Sequence, residues 1–175
     1  MSLPGERLII AATLDSVERG ETFHEIPPHM TVVRWFNLQE NRRFRLANAM
    51  DRFFTDQPVF DKTIGGRKAS FGDTAHPVPV RLVNGIETVK VRADKEGNNR
   101  FVNPEWFALH ALIRSIGSFD EDDLYKDAFV PHISDTKDFT LGYRKRVSFD
   151  SVAVFGTEDK HQDYRVIDSF PLGHE

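Results

Sequence analysis

The chain has 175 residues, a length that favours a single domain with enough chain to bury a sizeable core. Its 23 lysine and arginine residues against 27 aspartate and glutamate residues give a net charge of −4, which argues against a broad electrostatic grip on duplex DNA or an anionic membrane. The absence of cysteine excludes disulfides, thiolate metal sites and a cysteine nucleophile.

The sequence carries no signal for export or for membrane insertion. Its first residues lack a basic leader followed by an apolar segment and a cleavage site, and no apolar run approaches the length that spans a bilayer. We therefore expect a soluble, cytoplasmic protein in which residues 1–175 form one domain. We also expect it to act as a monomer without a membrane partner.

The first half of the chain alternates between strand and helix patterns. Residues 7–14, RLIIAATL, form a short apolar run that is typical of a buried strand. A polar loop over residues 15–28 ends in two prolines, and residues 29–36 are predicted to form the next strand. Residues 39–54 place apolar side chains at helical spacing among arginines, which predicts an amphipathic helix that ends before Pro58.

The middle of the chain is predicted to contain further strands and a second helix. Residues 59–83 are typical of two or three strands divided by glycine-containing turns, and residues 84–103 of a hairpin or a loop. Asn103 as an N-cap and Pro104 at the first helical position predict a helix that continues to Ile116.

Three more strands are predicted in the last third of the chain, over residues 128–136, 147–155 and 164–170. The first of them carries a histidine, as does the strand over residues 29–36. Each half of the chain therefore contributes one strand with a histidine and one helix.

A short motif occurs once in each half. The stretch IPPHMTVV has His29 and Thr31 two positions apart, and FVPHISDT has His132 and Ser134 at the same spacing. The two histidines are 103 positions apart (132 − 29 = 103), and each follows a proline directly. Because side chains alternate along a strand, the histidine and the hydroxyl of each motif are expected on one face.

These residue types suit the displacement of an oxygen at a phosphodiester. Such a reaction removes a proton from the incoming oxygen and delivers another to the leaving oxygen. Histidine suits both tasks because its pKa lies close to neutral, so one ring acts as the base and the other as the acid. The hydroxyls of Thr31 and Ser134 are placed to donate hydrogen bonds to a non-bridging phosphate oxygen.

The paired motifs resemble those of the 2H phosphoesterase superfamily, which includes the bacterial 2′-5′ RNA ligase-like proteins and cyclic nucleotide phosphodiesterases. The resemblance assigns His29 and Thr31 to the first motif, and His132 and Ser134 to the second. It implies an α+β, bilobal fold with two antiparallel sheets related by a pseudo-twofold axis around a central cleft, and with helices on the outside.

The resemblance also implies an activity. The expected enzyme is a metal-independent phosphodiesterase that hydrolyses 2′,3′-cyclic phosphates of nucleotides or RNA ends and uses no cofactor. The alternatives within the family are cleavage of a 2′-5′ or cyclic oligonucleotide, and the reverse ligation. A nucleotide- or RNA-binding module without turnover is the alternative from another class, and the intact histidine and hydroxyl pairs argue against it.

Other candidates have simpler structural interpretations. Trp35 shares the predicted face of His29, Thr31 and Val33, where it either stacks on a nucleobase or packs in the core. The arginines of the first helix are most simply a solvated face, with contact to an RNA backbone as the alternative. His110 is predicted to be structural because it lies on the apolar side of the second helix. No spacing of the remaining histidines indicates a metal site.

Overall fold

A computed structural model describes residues 5–55, 60–71, 78–84, 89–93, 99–102, 104–119, 132–134, 146–157 and 163–173. The strands, in chain order, are β1 (Glu6–Thr13), β2 (Thr22–Phe23), β3 (His29–Leu38), β4 (Phe60–Phe71), β5 (Val78–Asn84), β6 (Val89–Ala93), β7 (Asn99–Val102), β8 (Ser118–Phe119), β9 (His132–Ser134), β10 (Arg146–Phe149), β11 (Ser151–Thr157) and β12 (Tyr164–Pro171). The helices are α1 (Arg43–Phe54), which follows a 3₁₀ turn at Glu40–Arg42, and α2 (Pro104–Ile116).

Ten of these strands form one antiparallel sheet. Its order is β10-β4-β5-β9-β3-β1-β11-β12-β2, and β8 pairs with β3 outside that path. β6 and β7 form a separate two-stranded ribbon, which confirms the hairpin predicted there. The α+β class is confirmed. The strands expected in two sheets are joined where β3 pairs with β9, and the pseudo-twofold axis stays a prediction.

The two helices pack against one face of this sheet. α1 buries Leu46, Ala49, Met50 and Phe54, a spacing that forms one apolar side. α2 likewise buries Trp106, Leu109, Ile113 and Ile116. Both sets join the larger core cluster, which we call the helix-side core. A smaller cluster lies on the opposite face of the sheet, and its buried members are Ile9, Ala11, Val17, Ala153, Phe155 and Val166.

The pairing of β1 with β3 is irregular in the middle of β3. The register shifts between Leu8 and Ile10 and again between Ile10 and Ala11, as expected where β-bulges interrupt a ladder. Val33 lies at this irregularity and packs in the helix-side core. Its predicted position on the face of His29 is therefore wrong, because strict alternation fails at a bulge.

Most predicted elements are present, with changes at their ends. The strand predicted over residues 147–155 is divided at Asp150 into β10 and β11, which pair with β4 and β1 respectively. The Asp150 N–H donates to the carbonyl of Thr13 at 2.9 Å, so the break is held by backbone contacts. The short strands β2 and β8 fall in segments predicted without structure. Asn103 and most of the strand predicted over residues 128–136 lie outside the described residues.

Candidate active site

The two motif strands are direct neighbours in the sheet. β3 and β9 run antiparallel, and Met30 stands opposite Ile133. These two side chains are 0% and 1% exposed and belong to the helix-side core. Because side chains alternate, the residues that flank each of them point to the opposite face.

That face carries the four polar residues of the two motifs, His29, Thr31, His132 and Ser134, and all four are half-buried. Continuing the register by one residue on each side of the Met30 and Ile133 pair sets His29 beside Ser134 and Thr31 beside His132. Each imidazole thus has the hydroxyl of the other motif as its cross-strand neighbour. The two histidines are diagonal neighbours, a relation that separates residues by about 7–8 Å.

The outer strands frame this group with small and apolar residues. On β1, Thr13 pairs with His29 and Ala11 pairs with Thr31. On β5, Val80 pairs with Ser134 and Leu82 pairs with His132. The four polar side chains are therefore bordered mainly by groups without charge, which strengthens electrostatic interactions inside the group.

Thr13 extends the polar row beyond His29. Its hydroxyl donates to the carbonyl of Asp15 at 2.7 Å and lies 2.7 Å from the hydroxyl of Ser151. Since the Thr13 proton is directed at Asp15, the Ser151 hydroxyl is the donor between the two. Both residues are buried, so these bonds satisfy their hydroxyls beside the candidate base. The sequence offered no signal for this pair because its members are distant in the chain.

The loop before β3 orients the His29 ring. Nδ1 of His29 lies 2.8 Å from the carbonyl oxygen of Pro27. A carbonyl only accepts, so Nδ1 carries the proton and Nε2 of the neutral ring holds the free electron pair. The Pro28 carbonyl accepts a hydrogen bond from the Leu14 N–H at 3.2 Å, which ties this loop to the end of β1.

Burial lowers the pKa of His29 below its ordinary value of 6.5. The hydrogen bond to Pro27 opposes this effect, and the positive charge of His132 lowers the pKa further. The two imidazoles are thus close enough to interact electrostatically. His29 is a neutral ring at pH 7, with Nε2 ready to take a proton.

The fold and this arrangement were compared with known proteins. No protein-family model matches the sequence, and no curated protein matches it. Among solved structures, E. coli LigT complexed with 3′-AMP superposes with a TM-score of 0.54 at 15% identity, covering 97% of this chain and 99% of that one. E. coli LigT complexed with NADP⁺ gives 0.52 at 13% identity, with the same coverage.

A further structure, described as that of a phosphoesterase, also superposes with a TM-score of 0.52 at 13% identity and covers 97% of this chain and 99% of its own. This chain has the LigT fold. The likeness extends over nearly all of both chains. At such low identity it concerns the fold alone, and the chemistry has to be argued from the side chains.

Within the LigT fold, Trp35 lies on the face of the motif residues but at the far end of β3. Its ring packs against the smaller core cluster, 5.9 Å from the ring of Tyr164, and the guanidinium of Arg7 lies 4.7 Å from its centroid. At about 3.3 Å per residue, an extended strand separates Trp35 from His29 by about 20 Å and from Thr31 by about 13 Å. It does not border the imidazoles.

Two of the helix arginines bind the protein itself. Arg43 forms an ion pair with Glu6 of β1, and Arg42 donates to the carbonyl of Ile116 at 2.9 Å. The prediction of a solvated face is wrong for Arg43, which is half-buried against Glu6 of β1. Arg42 is exposed as predicted, although it also ties the turn before α1 to the end of α2. Arg45 and Arg52 are exposed, as predicted.

His110 contacts the backbone of the strand that carries His29. Its Nε2 lies 3.0 Å from the carbonyl of Val32, which accepts the hydrogen bond. Burial lowers the pKa of His110, the bond to Val32 opposes this, and the charges of Arg114 and Arg34 add to the lowering. The contact agrees with the predicted structural role.

Neither a membrane span nor a metal centre is found in the parts of the chain that the structure describes. No described helix combines the length and the apolar composition needed to cross a bilayer. Over the same residues, no three acidic or histidine side chains are grouped so as to hold a metal ion.

Proposed function

We propose that the protein is a metal-independent phosphodiesterase that hydrolyses 2′,3′-cyclic phosphates of nucleotides or RNA ends, with His29 as the general base and His132 as the general acid. The observation that carries the proposal is the pairing of Met30 with Ile133, which directs both histidines and both hydroxyls to one face of adjacent strands. A phosphate held between the two rings lies within reach of all four side chains.

The reaction follows from these positions. Nε2 of His29 removes a proton from a water molecule, whose oxygen forms a bond to phosphorus. The bond from phosphorus to one ribose oxygen breaks, and the protonated ring of His132 gives that oxygen its proton. The product is a phosphate monoester, and each proton transfer contributes about 10² to 10⁴ in rate.

The two hydroxyls stabilise the charge that develops on phosphorus. Thr31 and Ser134 donate hydrogen bonds to the non-bridging oxygens, which carry more negative charge in the five-coordinate transition state than in the substrate. The cross-strand order matters here, because each hydroxyl stands beside the imidazole of the other motif. One bound phosphate would therefore connect both strands.

The solved structures support the proposal at the level of the fold. LigT has been crystallised with 3′-AMP and with NADP⁺, so a backbone of this kind accommodates nucleotides. Cleavage of 2′-5′ linked or cyclic oligonucleotides, and the reverse ligation, would use the same acid and base.

A hydrolysis screen tests the proposal. Cyclic 2′,3′-mononucleotides, RNA ending in a cyclic phosphate and 2′-5′ linked oligonucleotides are incubated with the protein in EDTA, and products are separated by chromatography. We expect turnover of cyclic phosphates by the wild type and its loss in His29→Gln. His24→Gln is the matched control, because His24 is an exposed histidine that contacts Asp163 away from the site.

Two outcomes would overturn the proposal. The first is complete loss of turnover in EDTA with recovery on addition of Mg²⁺, Mn²⁺ or Zn²⁺, which would indicate metal catalysis. The second is nucleotide binding without turnover of any substrate, which would leave a binding module.

A further inference from the structure

We call the sheet face that carries the polar residues of the two motifs the motif face. It also carries an aromatic and cationic cluster formed by Arg7, Trp35 and Tyr164. The three residues come from β1, β3 and β12, and all are half-buried. Arg7 lies over the Trp35 ring at 4.7 Å, and the Tyr164 ring is 5.9 Å away at 34°. The other tryptophan, Trp106, is only 5% exposed in the helix-side core.

The cluster combines the groups that bind single-stranded nucleic acid. Aromatic rings stack on bases of any sequence, and a guanidinium either stacks on a base or binds a phosphate. No acidic side chain of the described residues forms an ion pair with Arg7. Within the described part of the chain its guanidinium lies over the Trp35 ring rather than against a carboxylate, an arrangement suited to an anionic ligand.

The distance from the imidazoles decides which part of a ligand the cluster would contact. In an extended strand, the four residues from Thr31 to Trp35 span about 13 Å and the six from His29 to Trp35 span about 20 Å. The base of the reacting nucleotide is attached to the ribose that carries the cyclic phosphate, so it stays close to the two histidines. A base at Trp35 would belong to a nucleotide further along the strand.

We propose that Arg7, Trp35 and Tyr164 bind the nucleotides that precede the terminal cyclic phosphate, and that the preferred substrate is therefore a short single-stranded RNA rather than a mononucleotide. This inference rests on the proposed function, because it takes the phosphate to be held between His29 and His132. It adds a second contact region on the same sheet face, in which stacking supplies affinity without base specificity.

The kinetic test compares two substrates with the same terminal nucleotide. The ratio of kcat/KM for a trinucleotide ending in a 2′,3′-cyclic phosphate to kcat/KM for the cyclic mononucleotide is measured for each variant. We expect this ratio to fall about tenfold or more in Trp35→Leu and in Arg7→Ala, because one stacked base is lost. Trp35→Phe, which keeps an aromatic face, should recover most of the ratio.

The matched control is Phe44→Leu. Phe44 is 61% exposed on α1, on the helix side of the sheet, and Arg45 lies over its ring at 6.0 Å. This variant removes a surface aromatic ring next to an arginine without altering the motif face. An equal ratio in Trp35→Leu and Phe44→Leu would overturn the inference.

A binding measurement separates this inference from the proposed catalysis. Tryptophan fluorescence of the wild type is titrated with a trinucleotide that ends in a 3′-hydroxyl and cannot be hydrolysed. We expect quenching that is absent in Trp35→Phe, even if no cyclic phosphate is ever turned over. Absence of quenching in the wild type would overturn the RNA subsite and favour a protein partner for this surface.

Discussion

At the residue scale, the hydrogen bond between His29 and Pro27 determines which ring nitrogen is available to a substrate. It holds the proton on Nδ1 and leaves Nε2 to accept another. His29→Ala and His132→Ala are each expected to lower kcat by about 10² to 10⁴, because each removes one proton transfer. The double variant should be scarcely slower than either single one, since the two rings act as a unit.

The value of kcat for the histidine variants is measured by steady-state kinetics, and circular dichroism checks that they fold. Thr31→Ala and Ser134→Ala are expected to cost about 10² to 10³ in kcat, as for the loss of one donor to an oxyanion. Turnover close to that of the wild type in both histidine variants would remove the acid and base assignment.

The pH dependence of catalysis also belongs to single residues. The value of kcat/KM should rise as the base loses its proton and fall as the acid loses its own, giving a bell-shaped profile. Because burial lowers the pKa of His29 below 6.5, the rising limb is expected below pH 6.5. A bound phosphate favours the protonated ring, so the same limb in kcat should lie at higher pH.

A pH series of initial rates checks this prediction. The His110→Gln variant serves as the control, since its ring contacts the Val32 carbonyl and not the substrate face. A rising limb well above pH 7 in kcat/KM, or a profile without one, would contradict the assignment of His29.

At the element scale, a hydrogen bond from α2 supports the irregular part of β3 in addition to the packing of the two elements. His110 donates to the Val32 carbonyl, one residue before Val33 at the register shift. His110→Leu is expected to destabilise the fold by about 1–3 kcal/mol, because it leaves a buried acceptor without this donor. His110→Gln keeps an N–H donor and should lose less, which urea unfolding of the two variants would measure.

Comparing the loss of stability in His110→Gln with that in His110→Leu tests this hydrogen bond. If His110→Gln destabilised the protein as much as His110→Leu, packing of the ring and not its hydrogen bond would hold β3. Ser115→Ala is a suitable control on α2, since Ser115 is exposed and bonds only within the helix, to the carbonyl of Leu112.

At the scale of the whole molecule, His29 and His110 make stability depend on pH. Burial lowers the pKa of both rings in the folded chain, whereas in the unfolded chain it is about 6.5. Between the lowered pKa and pH 6.5, the unfolded chain therefore binds protons that the folded chain does not. Above about pH 6.5 these two histidines do not make the free energy of unfolding depend on pH. Below about pH 6.5 they make the free energy of unfolding fall as the pH decreases. Urea unfolding from pH 8 to 5 should show this fall, and it should be smaller in the His29→Gln/His110→Gln double variant.

Much of this fold could be predicted from the sequence, because helical spacing and strand alternation are local patterns. Helical spacing gave α2 its end at Ile116, and alternation correctly separated His29 and Thr31 from Met30. The bulge that turns Val33 toward the helices depends on the pairing of β1 with β3, which no local pattern contains.

Features of the candidate site that could not be predicted from the sequence likewise depend on contacts between strands that are distant in the chain. The sequence set each hydroxyl beside the histidine of its own motif, whereas the register also sets it beside the histidine of the other. That relation depends on contact between strands 103 positions apart (132 − 29 = 103). Likewise, alternation put Trp35 on the motif face, but only its contacts with Arg7 and Tyr164 reveal a separate cluster.

The pairing of Met30 with Ile133 has a consequence for how the sheet avoids misassembly. A slip of β9 by one residue against β3 would turn the His132 imidazole and the Ser134 hydroxyl into the helix-side core and expose the Ile133 side chain to water. Burial of two polar groups without partners costs free energy, so the misaligned sheet is disfavoured. The groups proposed to carry out the chemistry therefore also enforce correct alignment of the two halves of the chain.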